Sequence, residues 1–320
     1  MLSRSYDFIY ALIIQLIRAL RKVNRLVVTI VSIVVTIIIL GILVYKQREI
    51  LINFHWEFRP VPLFLAFLVY TVALFWVSVG WGWICNILGT QLSYWKHIRN
   101  YIVSNMAKRI PGTIWYVASR FQLYSAEGFS ATTTAVASGI ELVLITLAGI
   151  IVVLIFSTQT LLEYQISPVI LVIVFILGLI VLHPKVIRWI LARRKVDSSI
   201  LSYKNILQGI LYYIFSWIFG GVVLYEIGNI ISPISINNLL YIINIWTLVG
   251  IISTLFFFSP SNFGITEIGL SLLLSKVVPT SIAVVMAVAT RILLMVFEII
   301  WASLFLWFKQ HDSNRLTQKD

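Results

Sequence analysis

Residues 26–45 and 61–83 contain no Asp, Glu, Lys, Arg or His. Each run exceeds the ~18 apolar residues that mark a transmembrane helix. Nothing else constrains the fold as strongly, because a chain inside hydrocarbon must satisfy its own backbone hydrogen bonds, which a helix does. Hydrophobic residues make up 60% of the 320 and charged residues only 11%, far from the balance of a soluble domain. The expected fold class is an all-α polytopic membrane protein. It has seven to eight transmembrane helices plus two broken or re-entrant helical segments.

The expected spans are about 26–45, 61–88, 131–157, 166–183, 205–228, 238–258 and 280–308. A short eighth crossing at 262–278 would return the weakly basic C-terminus to the inside. Three domains follow. Residues 1–25 form a cytoplasmic amphipathic helix, with Phe8, Ile9, Leu12, Ile13, Leu16, Ile17 and Leu20 on one face and Arg18, Arg21, Lys22 and Arg25 at its end. It lacks a small-residue cleavage site, so a removed signal peptide is not expected. Residues 26–308 form one transmembrane domain, and 309–320 a short polar tail. Trp76, Trp81 and Trp83 near the end of the second span suit an interfacial belt.

The net charge is +12 and clustered: residues 1–25 hold five Lys/Arg, 89–130 five and 184–204 six. Clusters of this kind fix topology, because short basic loops stay in the cytoplasm. The reading is a multi-pass cell-membrane protein with a cytoplasmic N-terminus. A nucleic-acid surface would need a soluble domain to display it, so no nucleic-acid partner is expected. The single cysteine, Cys85, excludes an internal disulfide. Four scattered histidines and no phosphate-cradling glycine loop argue against a metalloenzyme or ATPase, and no cofactor is expected.

Two polar segments interrupt the apolar pattern. One runs from Lys108 to Arg120 and contains Lys108, Arg109, Pro111 and Gly112. The other runs from Ser259 to Glu267 and contains Pro260, Asn262 and Gly264. Proline disfavours helical geometry at the residue before it, and glycine permits an unusual turn. Broken backbone at membrane depth is tolerated only where protein or a water-filled cavity surrounds it. Charges inside a bilayer cost ~2.5–3.5 kcal/mol each, and Arg120, Glu141, Glu267, Arg291 and Glu298 all fall in or beside these runs. Pairing relieves that cost. Arg291 has three candidate partners: Glu141, Glu267 and Glu298. The pairs either hold helices in register or line a cavity for a charged headgroup. Lys108 and Arg109 are either topogenic loop charges or phosphate-attracting groups. The two segments also suggest an internal duplication. Pro111 lies 30 residues before Glu141, Pro260 lies 31 before Arg291, and Arg120 occupies the place of Glu267.

The stretch Lys108-Arg109-Ile110-Pro111-Gly112-Thr113-Ile114-Trp115 with Arg120, Gly128 and Glu141 resembles the first signature of the lysylphosphatidylglycerol synthase transmembrane-region family, also called flippase-like. Pro260, Gly264, Glu267 and Arg291 resemble its second. The similarity covers about residues 26–308. It implies a multi-pass protein of a bacterial inner or archaeal membrane. Members include the flippase half of lysyl-lipid synthases and proteins encoded with glycolipid or dolichol-linked sugar pathways. The sequence stops at residue 320, so a stand-alone member without the aminoacyl-transferase domain is expected. Ser261-Asn262-Phe263 before Gly264 departs from the usual glycine content of the second signature.

The expected function is a lipid translocase or transporter-like protein handling an anionic or isoprenoid-linked (glyco)lipid. Lys108, Arg109, Pro111, Gly112, Arg120, Glu141, Pro260, Asn262, Gly264, Glu267 and Arg291 are the substrate-binding set. Membrane lipids are the expected partners, with a partner enzyme of lipid or glycan biosynthesis. Two alternatives stand beside it. One is a membrane-embedded transferase acting on lipid-linked sugars, with Glu141 or Glu267 as general base. The other is a non-catalytic scaffold of a glycolipid pathway.

Overall fold

The computed structural model describes residues 59–106, 114–156, 167–192, 202–255 and 264–317, with a few positions between 38 and 57. Among them the chain is all-helical. We number the helices from the first long one: α1 Pro60–Ile87, α2 Tyr94–Met106, α3 Ile114–Ser125, α4 Ala131–Phe156, α5 Pro168–Val181, α6 Pro184–Ala192, α7 Tyr203–Ile231, α8 Leu239–Leu255, α9 Ile265–Leu274 and α10 Thr280–Thr317. Local chemistry sets the ends. Pro60 opens α1, where the missing N–H leaves no bond unmade. Ser202 caps α7 by accepting the Asn205 N–H. Gly128 closes α3 at φ +87°, a left-handed turn that a side chain would strain.

Helix α7 is central, packing on α1, α4, α8 and α10. Gly221 lets its backbone approach the Cα of Ile243 on α8, and Gly220 lies under the Trp246 ring. Close helix approach through small residues is how membrane helices gain contact, since lipid offers no hydrophobic drive between them. Trp217 is wedged between Gly149 of α4 and Gly250 of α8. Its indole N–H donates to the Ile145 carbonyl at 2.8 Å. Around this seam lies the main core, including Leu144, Leu147, Ile150, Tyr213, Ile242 and Met286.

The outside is as apolar as the inside. Phe64, Leu68 and Val72 on α1, Leu207, Leu211 and Phe215 on α7, and Ile292, Val296 and Ile299 on α10 are exposed at helical spacing. Patches of this size on a soluble monomer mark a binding surface; repeated around the molecule they suit a bilayer. Five helices are long and apolar enough to cross a membrane: Pro60–Ile87, Ala131–Phe156, Tyr203–Ile231, Ile236–Thr254 and Thr280–Trp307. They coincide with five of the expected spans. Helix α5 covers the expected span at 166–183 but reaches only about 21 Å, against ~30 Å of hydrocarbon. Helix α9 is shorter still, 10 residues, so 262–278 is not one continuous crossing helix. The expected count of seven to eight is therefore not reached among the described residues. Most of the span at 26–45, and all of the N-terminal helix 1–25, lie outside them.

One indole differs from its expected role. Trp81 is fully buried rather than part of an interfacial belt. Its ring packs over Arg120 and its N–H donates to the Tyr124 hydroxyl at 2.6 Å. The last helix also continues past the expected span end at residue 308, through Thr317.

Candidate functional site

Four of the five charges named above form two pairs, one in each half of the chain. In the first half, α3 carries Arg120 against α4. The Arg120 guanidinium donates to Glu141 at 2.6 Å, with side-chain exposures of 0% and 7%. Trp81 of α1 and Tyr101 of α2 cover the guanidinium, 4.1 and 4.5 Å from their ring centroids. Aromatic faces attract a desolvated cation by about 0.5–2 kcal/mol each. Four helices thus converge on one charge. Removal of either partner from so enclosed a pair leaves the other uncompensated, at about 3–5 kcal/mol.

In the second half, α9 begins at Gly264, whose φ of +99° no L side chain adopts comfortably. Glu267, in the first turn, reaches back to accept the Gly264 N–H at 2.8 Å and so closes the helix start. Its other carboxylate oxygen accepts from Arg291 of α10. Glu267 is buried, whereas the Arg291 side chain keeps 25% of its surface exposed. The carboxylate therefore serves two donors at once, a backbone N–H and a guanidinium. Of the three candidate partners, the structure joins Arg291 to Glu267 through this side-chain bond. Glu298, about two turns further along α10, is buried within the bundle.

Arg120 and Glu267 sit on the short helices α3 and α9. Glu141 and Arg291 sit on the long helices that follow, with the charges exchanged. Lys108, Arg109, Pro111, Gly112, Pro260 and Asn262 lie outside the described residues.

A second buried polar group sits beside the first pair and was not expected from sequence. The Trp81 indole donates to Tyr124, whose hydroxyl meets His97 Nδ1 at 2.7 Å. His97 Nε2 faces Asn86 Oδ1 at 3.2 Å, and Thr90 donates to the same oxygen. Asn86 Oδ1 accepts only, so Nε2 carries the proton and Nδ1 accepts from Tyr124. The ring is neutral and fully enclosed. Burial pushes the His97 pKa down to about 4, against an upward pull from Glu127. Burial likewise pushes the Tyr124 hydroxyl well up. Just outside, Glu127 binds Lys96 at 2.9 Å and Arg99 at 2.8 Å. Burial opposes its ionisation, but those two cations hold its carboxyl below the usual range. The usable signal was periodicity: His97 precedes Tyr101 by four residues on the apolar face of α2.

An open groove of about 500 Å³ runs between α1 and α7, lined by Thr71, Val72, Phe75, Trp76, Val79 and Tyr212. It is apolar, and none of the four paired charges lines it. Within the described residues no cluster of three or more His, Cys, Asp or Glu is arranged to hold a metal. No protein-family model matches the chain, and comparison with curated proteins gives no significant match. The family resemblance therefore rests on the motifs themselves.

Proposed function

We propose that this membrane protein is a lipid translocase or transporter, and that Arg291 with Glu267 receives the anionic headgroup of its lipid. The observation that carries the reading is the partly accessible Arg291 at a broken helix start, in an otherwise apolar bundle. A guanidinium binds phosphate or carboxylate through two parallel donors. In the resting arrangement Glu267 supplies such an anion. A lipid phosphate would take its place at Arg291 while Glu267 remained on the Gly264 N–H. Pro260, Asn262 and Gly264 would keep the backbone broken there. Lys108, Arg109, Pro111 and Gly112 would form the corresponding break in the first half, where cations attract the headgroup. The substrate class is an anionic or isoprenoid-linked lipid, as the motif resemblance implies.

Fluorescent anionic lipid in proteoliposomes tests this. Wild-type protein should accelerate its transbilayer movement, and Arg291→Ala at equal folded amount should lose at least about tenfold of that rate. Equal rates for the two proteins would overturn the reading. One observation favours a scaffold role for part of the molecule: the Arg120–Glu141 pair is closed off by Trp81 and Tyr101. That half then serves to hold the bundle, as in the non-catalytic alternative.

A further inference from the structure

Helix α5 carries an unusually bare apolar face. Ile170, Ile173, Ile176, Leu177, Ile180 and Val181 are each more than half exposed, and the helix packs mainly on α4 and α6. At its end the chain turns sharply at His183-Pro184 into α6. There Lys185 and Arg188 are exposed, while Ile187 is buried. A clasp fixes this elbow. His183 Nδ1 accepts the Lys185 N–H at 3.1 Å, and His183 Nε2 bonds the Tyr203 hydroxyl. The rings meet edge-to-face, 5.3 Å between centroids. The clasp thus brings the start of α7, with exposed Lys204, beside the start of α6. Residues 167–192 and 202–225 contain no Asp or Glu; the nearest acids along the chain are Asp197, outside the described residues, and Glu226, about six turns beyond Lys204 on α7.

The geometry points to a binding site for one anionic phospholipid at this elbow. Its acyl chains lie along the bare face of α5, and its phosphate sits among Lys185, Arg188 and Lys204. Both halves of an amphiphile find their complement within one turn of chain: an apolar wall, then cations at its end, where headgroups lie. The site is on a different helix pair from Glu267–Arg291 and does not depend on transport. Its role is to anchor and orient the bundle in anionic bilayers.

Native mass spectrometry of the full chain, titrated with phosphatidylglycerol or phosphatidylcholine, tests this. Wild-type protein should bind phosphatidylglycerol more tightly. The variant Lys185→Gln/Arg188→Gln/Lys204→Gln should lose about fivefold in affinity per charge removed. Three cations elsewhere, removed as Arg48→Gln/Arg59→Gln/Lys276→Gln, should leave the affinity unchanged. Lys185→Arg/Lys204→Arg should retain it. The single variants Lys185→Gln and Lys204→Gln, read in the same titration, give the answer should the triple variant be unstable. Equal binding of the two lipids by wild type, or equal losses in both triple variants, would overturn the site.

Discussion

The two halves of this molecule use one device in two ways. Each places a charge on a short helix and pairs it with the opposite charge on the following long helix. In the first half the cation belongs to the short helix and is sealed under two aromatic rings. In the second half the anion belongs to the short helix, where it also closes the helix start, and the cation stays a quarter exposed. An enclosed pair is bound to its surroundings and can only be structural unless the bundle opens. A pair with one accessible member can exchange partners. The contrast is the reason for assigning headgroup recognition to Arg291 rather than to Arg120.

The largest expected effect breaks the comparison directly. Arg120→Ala should destabilise the folded protein in detergent by about 3–5 kcal/mol, read from thermal or denaturant unfolding. Arg291→Ala should cost less, about 1–3 kcal/mol, because the buried Glu267 left behind keeps the Gly264 N–H as a donor. Equal costs would erase the distinction between the halves.

Next in size is a pH effect confined to the first half. The folded pKa of His97 is depressed from 6.5 to about 4. Its contribution is complete above pH 6.5 and is lost as pH falls towards 4, because the unfolded chain takes up the proton first. The loss amounts to about 3 kcal/mol at most. Glu127, its carboxyl held below the usual range by Lys96 and Arg99, adds its own loss towards the acid end. In His97→Gln the melting temperature should change far less between pH 6.5 and 4.5 than in wild type.

A smaller effect belongs to the second half. Gly264→Ala should cost about 1–3 kcal/mol, since φ of +99° is strained for any side chain. It should also weaken the Glu267 cap. The smallest is Trp81→Phe, which removes the N–H bond to Tyr124 but keeps a ring over Arg120. About 1 kcal/mol is expected.

The sequence made the long helices visible because apolar length is a property of the chain alone. Five spans fall where apolar runs place them. Gly264 was also legible, as a glycine in the second polar segment that proves to have positive φ; Gly128 entered only through the motif resemblance. Partnership was not legible, because it depends on which helices touch. Periodicity alone offered Glu298 to Arg291 on the same helix face; packing of α9 on α10 brought Glu267 instead. Trp81 misled for the same reason. Its position in the apolar run suits an interface, but Gly82 beside it lets α2 come within 3.0 Å of where a side chain would begin, at His97. That approach turns Trp81 inward. Helix α5 shows the limit of composition: a span of about eighteen residues was expected and fourteen are helical.

The central claim is that the second polar pair is accessible and anion-binding while the first is closed. Thiol accessibility tests it most directly. On a Cys85→Ser background, a cysteine at position 291 should react with a membrane-impermeant thiol reagent. One at Ala137, a turn before Glu141 and fully buried, should react at least about tenfold more slowly. In Arg291-containing protein, a cysteine at Thr266 should be protected by an added anionic lipid and not by a zwitterionic one. Equal reactivity at 291 and 137, or protection that ignores lipid charge, would contradict the account.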